Sequence, residues 1–182
     1  NQDPMKQAHS EAERLFRELL PGEGLAVREE QLSLCHTMLD ALFQNKIALC
    51  DAGVGIGKTY AYLAACILWR KHSRSAKPIA ISTSSIALQT AILKEYLPFL
   101  SQIFLENRLV KEPIRGIIRK SKERFVCDER LRQRLAAVRD KQKNPAQRKA
   151  LDSLKRIFDL DAVPELSGFD RRQVCIPQVC PE

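Results

Sequence analysis

Ile47-Ala48-Leu49-Cys50-Asp51-Ala52-Gly53-Val54-Gly55-Ile56-Gly57-Lys58-Thr59 is the stretch on which the reading of this chain turns. Its first four residues form a short continuous apolar run, bounded by Asn45-Lys46 and by Asp51 with its following glycines, the pattern of a strand buried on both faces. A helical pattern follows from about 57 to 72. Between the two, Gly53, Gly55 and Gly57 open backbone conformations closed to other residues, so that successive N–H groups can converge on a phosphate. The helix N-terminus adds partial positive charge. Lys58 is placed to reach the β- and γ-phosphates, and the Thr59 hydroxyl to bind Mg²⁺. Ala52 stands where the phosphate-loop pattern has its first glycine. Ala52, Gly53, Val54, Gly55, Ile56, Gly57, Lys58 and Thr59 are thus expected to hold ATP with Mg²⁺; a glycine-rich turn with an incidental lysine is the plainer alternative.

Upstream, residues 6 to 20 place Ala12, Leu15, Phe16, Leu19 and Leu20 at helical spacing and stop at Pro21-Gly22. A second helix, about 29 to 45, puts Leu32, Cys35, Met38, Leu39 and Leu42 on one face. Its start, Arg28-Glu29-Glu30-Gln31, carries an amide that both donates and accepts, which suits an adenine edge; an ordinary helix start explains it equally. Downstream, 78 to 82 reads as another buried strand, 85 to 104 as a helix, and 114 to 118 as a third strand. Alternating strand and helix predicts βαβ units and a parallel sheet flanked by helices.

The chain has 182 residues, 45% hydrophobic and 29% charged, a balance that excludes wholesale disorder and collagen-like repeats. No apolar run approaches the roughly 20 residues of a spanning helix, and Asn1 to Gln7 lack the apolar stretch of a signal peptide, so a cytosolic protein with no membrane association is expected. Residues 1 to 4 read as a tag remnant. The net charge of +8 is concentrated: residues 106 to 156 hold 17 basic and 7 acidic side chains. Helices at about 123 to 141 and 146 to 158, broken by Asn144-Pro145, make up most of that segment, which suits a polyanion or else forms a solvated face. Among the six cysteines, Cys35, Cys50 and Cys66 lie on apolar elements and read as small core hydrophobes. Cys127, Cys175 and Cys180 lie in the basic, irregular part, and the short spacing of the last two between Pro177 and Pro181 suits a metal or cluster, with three unrelated thiols as the alternative.

Four segments together, REEQ at 28–31, CDAGVGIGKTYAYL at 50–63, PIAISTSSIALQ at 78–89 and ERFVCDERL at 123–131, resemble the N-terminal part of the DinG/XPD type of superfamily 2 DNA helicases, from about Leu25 onward. The resemblance implies a RecA-like P-loop parallel sheet, a partial first motor domain over 5–122, and from 123 to 182 the start of an iron–sulfur and helical insertion. It implies that Arg28 and Gln31 read adenine, that Lys58 and Thr59 are the catalytic positions on ATP and Mg²⁺, and that Thr83, Ser85 and Gln89 touch the nucleic-acid backbone. Ser85 as a helix N-cap is compatible with that contact. Cys127, Cys175 and Cys180 would supply three of the four thiolates of a [4Fe–4S] centre, the fourth being expected just beyond Cys180. The family's Asp-Glu-x-His motif is absent, since neither Cys127 to Arg130 nor Phe158 to Asp161 follows an apolar strand. What the resemblance implies is thus the ATP-binding front piece of an ATP-dependent helicase acting on single-stranded DNA or forked duplex, inactive by itself. A stand-alone nucleotide- or nucleic-acid-binding module is the alternative. A small P-loop kinase would need a lid and a second acidic strand that the sequence does not offer.

Overall fold

The computed structural model describes residues 3–53, 55–75, 77–139 and 144–179. Asp3, with its side chain accepting from the Met5 amide at 3.0 Å, and Pro4 start the first helix, although the sequence reading set both aside. That helix runs as α1 (Pro4–Arg14), through a π-helical turn (Leu15–Leu19), into a last turn α2 (Leu20–Gly22). Gly24 then takes φ +88°, and the Leu25 amide returns to the Leu20 carbonyl, so the helix closes as a left-handed cap requires. α3 is Glu29–Phe43 and α4 is Lys58–Ser73. Ser85 caps α5 (Ile86–Ala91), which continues through a π-helical turn (Ile92–Tyr96) into α6 (Leu97–Glu106).

These helices belong to the first of two compact units, Asn1–Ile118. Its core is built around α4, where Ala61, Leu63, Ala64, Ala65, Ile67 and Leu68 are all buried. Ala8, Ala12, Leu15 and Phe16 cover it from the first helix, Leu32, Cys35 and Leu39 from α3, and Leu100, Ile103 and Phe104 from α6. The alanines let helix backbones approach closely, so few large side chains are needed to fill the space.

The parallel sheet expected from the sequence is not formed. Among the described residues there is no strand, and the RecA-like arrangement gives way to packed helices. The runs at 47–50 and 78–82 have no regular secondary structure and no strand partner: Ile47 and Leu49 are 93% and 96% exposed. The run at 114–118 lies against the helical segment instead; the Ile114 amide donates to the buried Ser101 hydroxyl at 2.9 Å. A side chain on Gly116 would collide with Leu97. The physical reason is that an apolar run records a capacity for burial and not a partner, and a strand exists only where a neighbour takes up its backbone hydrogen bonds.

The second unit, Arg119–Glu182, holds α7 (Asp128–Arg139), α8 (Pro145–Ser153) and α9 (Gly168–Val174), with 3₁₀ turns at Lys122–Arg124 and Leu160–Ala162. The sequence reading left the region of α9 irregular. Val126, Leu131, Val138, Leu151, Leu154, Leu160 and Val174 form a separate core. Two single antiparallel bridges, Phe125 to Asp159 and Val126 to Cys175, tie residues 125 and 126 to its later segments. Asp170, 1% exposed, joins the three helices: Arg134 Nε donates to it at 2.7 Å, Gln147 Nε2 at 2.8 Å and Ser167 Oγ at 2.8 Å. Burial pushes this carboxyl up, but the hydrogen bonds from Gln147, Arg134 and Ser167 and the Arg134 charge outweigh it, leaving it below the usual carboxylate value.

Because that folded-state value is depressed, the stabilisation is complete above the unfolded carboxylate range and is lost as pH falls through the lowered value. Asp170→Asn should therefore cost the second unit about 1–3 kcal/mol at neutral pH, and its unfolding, followed by denaturant titration, should lose part of its acid sensitivity below about pH 4. An unchanged pH profile would show that the carboxylate does not organise the three helices.

Candidate functional site

The loop before α4 has the geometry its glycines allow. Gly55 sits at φ +81° and Gly57 at φ +79°, both in the left-handed region, and Gly57 is the residue from which α4 springs. No side chain caps that helix, and its first turn carries no acidic residue. The amides of the first turn, the helix dipole and a lysine at the first helical position therefore share one end. Lys58 is exposed and donates to the Ala52 carbonyl at 2.9 Å, lying back over the loop; Thr59 is half-buried beside it. Gly53 is exposed, and Val54 lies outside the described residues.

Arg28 and Gln31, at the start of α3, do reach this loop. Gln31 is 7% exposed, and its Nε2 donates to the Gly57 carbonyl at 2.8 Å; an Arg28 guanidinium nitrogen donates to the Gly55 carbonyl. Both side chains thus brace the loop backbone, a role the sequence reading missed. The signal that could have found it is the need of a buried amide for a partner close to a helix start. The result is a turn with two cations and a helix N-terminus without a side-chain cap, which chemically suits an anion such as a phosphate.

Thr83, Ser85 and Gln89 form one hydrogen-bonded turn. Thr83 Oγ1 accepts from the Ser85 amide at 3.1 Å, Ser85 Oγ from the Leu88 amide at 3.2 Å, and Gln89 Nε2 donates to the Thr83 carbonyl at 3.3 Å. The capping half of the expectation is what these bonds perform. Gln89 Oε1 is buried without a hydrogen-bond partner.

The cysteines separate as follows. Burial pushes the Cys35 thiol well up, with Cys66 adding to it, and pushes Cys66 up to about 11, so both are inert core groups. Cys50, expected in the core, is exposed on the unpaired 47–50 run. Cys127 and Cys175 are half-buried on adjoining backbone, the Cys127 amide donating to the Val174 carbonyl at 2.8 Å. Arg130 donates to the Cys175 carbonyl at 2.8 Å and lies 3.8 Å from its sulfur. Cys180 lies outside the described residues. Two thiols on adjoining backbone are donors of the right kind for an iron–sulfur centre, but a cubane takes four. Among the described residues no group of three or more His, Cys, Asp or Glu side chains is arranged to hold a metal. The residues as placed do not make a complete cluster site.

The basic helices are less free than their composition implies. Arg134 is bound to Asp170 and stacks over the Phe169 ring at 5.0 Å, and Arg132 is bound to Glu129. Lys120, with its side chain 6% exposed, bridges Asp159 and Asp161.

Over 115 residues the chain is 34% identical to a Bacillus subtilis (strain 168) protein named 3'-5' exonuclease DinG, a match covering 63% of this chain and 11% of that protein. Over 112 residues it is 30% identical to the Staphylococcus aureus (strain USA300) protein of the same name, covering 62% of this chain and 12% of that one. The chain is related to the DinG-type proteins. That relationship agrees with the resemblance carried by residues 28–31, 50–63, 78–89 and 123–131. The matched part is little more than a tenth of the length of these curated DinG relatives. No family model matches the chain, and no solved structure does. Among the described residues no helix is long and apolar enough to cross a membrane.

The bracing of the loop can be tested directly. A Cβ on Gly57 would lie 2.1 Å from Gln31 Nε2, and the residue holds a left-handed φ. Gly57→Ala should destabilise the first unit by at least about 1–2 kcal/mol from the backbone conformation alone. Adding Gln31→Ala should relieve the collision but not the φ, giving partial recovery of the thermal midpoint. Full recovery, or no loss in the single variant, would refute the described contact.

Proposed function

We propose that this chain is the nucleotide-binding part of a DinG-like, nucleic-acid-acting ATPase motor, coupling ATP hydrolysis to movement along single-stranded DNA as a helicase. The observation that carries this reading is the loop: left-handed Gly55 and Gly57 lead into the uncapped, acid-free start of α4, with Lys58 and Arg28 poised over the turn. In the proposed complex Lys58 leaves the Ala52 carbonyl for the β- and γ-phosphates of ATP, amides at the helix start hold the β-phosphate, and the Thr59 hydroxyl holds Mg²⁺. Mg²⁺ supplies charge neutralisation at the transferred phosphoryl group. Arg28 and Gln31 stand at the loop's edge, where an adenine contact and the bracing role are compatible.

On this reading, the exposed start of the Thr83–Gln89 turn faces nucleic-acid backbone, and the exposed cations of the second unit are phosphate contacts in their own right. A [4Fe–4S] centre there would draw on Cys127 and Cys175, with Cys180 as the third thiolate; no step of the proposed function depends on it. The relatives' name carries a 3'-5' exonuclease activity, which is the second reading.

A fluorescent ATP analogue with Mg²⁺ should bind the wild-type chain and lose at least about tenfold in affinity, about 1.4 kcal/mol, in Lys58→Ala. Unchanged affinity in that variant would remove the nucleotide reading. Progressive shortening of a 5'-labelled strand from its 3' end without ATP, equal in both proteins, would favour the exonuclease reading instead.

A further inference from the structure

Where α1 packs against α3, His9 and His36 meet edge to edge. Their Nδ1 atoms lie 2.5 Å apart, with ring centroids at 4.7 Å and planes 29° from parallel. The far nitrogen of each ring faces a carboxylate: His9 Nε2 is 2.8 Å from Asp40 Oδ1, and His36 Nε2 is 2.9 Å from Glu13 Oε1. A carboxylate accepts only from N–H, so each Nε2 carries its hydrogen and each Nδ1 turns toward the other ring. The two Nδ1 atoms thus converge on one point between the rings. About a quarter of each side chain remains exposed, so water reaches the pair.

An imidazole anchored through its far N–H by a carboxylate is the arrangement that orients histidine toward a metal. We propose that His9 Nδ1 and His36 Nδ1 form a two-imidazole site for a divalent first-row transition ion of the Zn²⁺, Ni²⁺ and Cu²⁺ class, with water in the remaining positions. The ion sits where the two Nδ1 atoms converge. Metal–nitrogen bonds of about 2.0–2.1 Å at a tetrahedral angle separate the two nitrogens by roughly 3.3 Å, so the rings part by less than about 1 Å while their carboxylates act as pivots. Imidazole is the ligand this class of ion favours, and two nitrogens with open water positions make an exchangeable site.

The charges around the pair fit a dication. On the first helix Glu13 and Arg17 stand nearest, and Arg17 is itself bound to Glu13 and Glu29. On α3 the neighbour is Asp40. On α4 the basic groups Lys71 and His72 are both engaged by Glu11. Proton and metal compete for the same lone pairs, so affinity falls as pH is lowered. Nothing in residues 52–59 enters this site, and it stands or falls apart from the nucleotide reading.

Ni²⁺ is the probe. The chain has three histidines, and His72, with Nε2 2.9 Å from Glu11, is the internal reference. Titration of the reduced full chain near neutral pH should broaden the ring-proton resonances of His9 and His36 together at one ion per chain and leave those of His72 sharp. Asp40→Asn keeps both rings and should weaken binding by about 10–100-fold; His36→Gln should abolish it. Nickel that broadens His72 or other residues while His9 and His36 stay sharp overturns the proposal, as does wild-type affinity in His36→Gln.

Discussion

Burial of α4 is the constraint from which the first unit follows. Its middle is apolar around most of its circumference, with Ala61, Leu63, Ala64, Ala65, Ile67 and Leu68 all removed from water. A helix of that kind has no face to offer solvent and exists only inside other elements. The first helix, α3 and α6 supply the cover, and truncating one of the larger buried residues, such as Leu68, is the sort of change worth about 2–5 kcal/mol. Once α4 is held this way, the position of its N-terminus is held too, and the loop at 51–57 has to end there. Only the C-terminal end carries the charge the dipole prefers, with Arg70, Lys71 and His72 in the last turn; the first turn has no acid and opens with Lys58, so that end stays positive. Glu11 on the first helix takes both Lys71 and His72, so the contact that docks α1 also relieves the repulsion at the far end of α4.

The same packing explains why α3 begins where it does. Leu32, Cys35 and Leu39 face the core, which brings Arg28 and Gln31 alongside the loop. A buried amide without a partner is costly, and the Gly57 carbonyl is the partner at hand. Bracing and ligand contact draw on different atoms of the glutamine: Nε2 is engaged by the loop, while Oε1 can still accept. A loop fixed before a ligand arrives loses less entropy on binding than one that must be ordered by it.

Much of this was legible in the sequence, and the division between what was and was not is physical. The glycine loop, the start of α4 and the Ser85 cap are set by interactions a few residues apart, so spacing alone places them. The DinG-type relationship rests on such local signals. The runs at 47–50 and 78–82 failed as strands because their pattern states that Ile47, Leu49 and Ile81 can be buried, whereas pairing depends on distant backbone that no pattern names. Cys50 failed with them. The Gln31 contact spans 26 residues and the His9–His36 contact 27, beyond the reach of any periodicity. α9 was overlooked because its polar run reads as loop until Ser167 caps it and Asp170 collects donors from α7 and α8.

Net charge and available charge part company in the second unit. Composition makes residues 106–156 strongly basic, yet several of the cations there are structural: Arg134 neutralises a buried aspartate, Arg130 holds the Cys175 carbonyl, and Lys120 is enclosed between two carboxylates. A guanidinium fixed in this way cannot leave for a phosphate without exposing its partner, and stranding Asp170 unpaired would cost more than a solvent-exposed phosphate contact returns. Lys122, Lys149, Arg156 and Arg172 are exposed and carry no such obligation among the described ion pairs. Among the described residues, polyanion contact by this unit draws first on those side chains and on the exposed Arg119, and its strength is set by where they project and not by the count of basic residues in the segment.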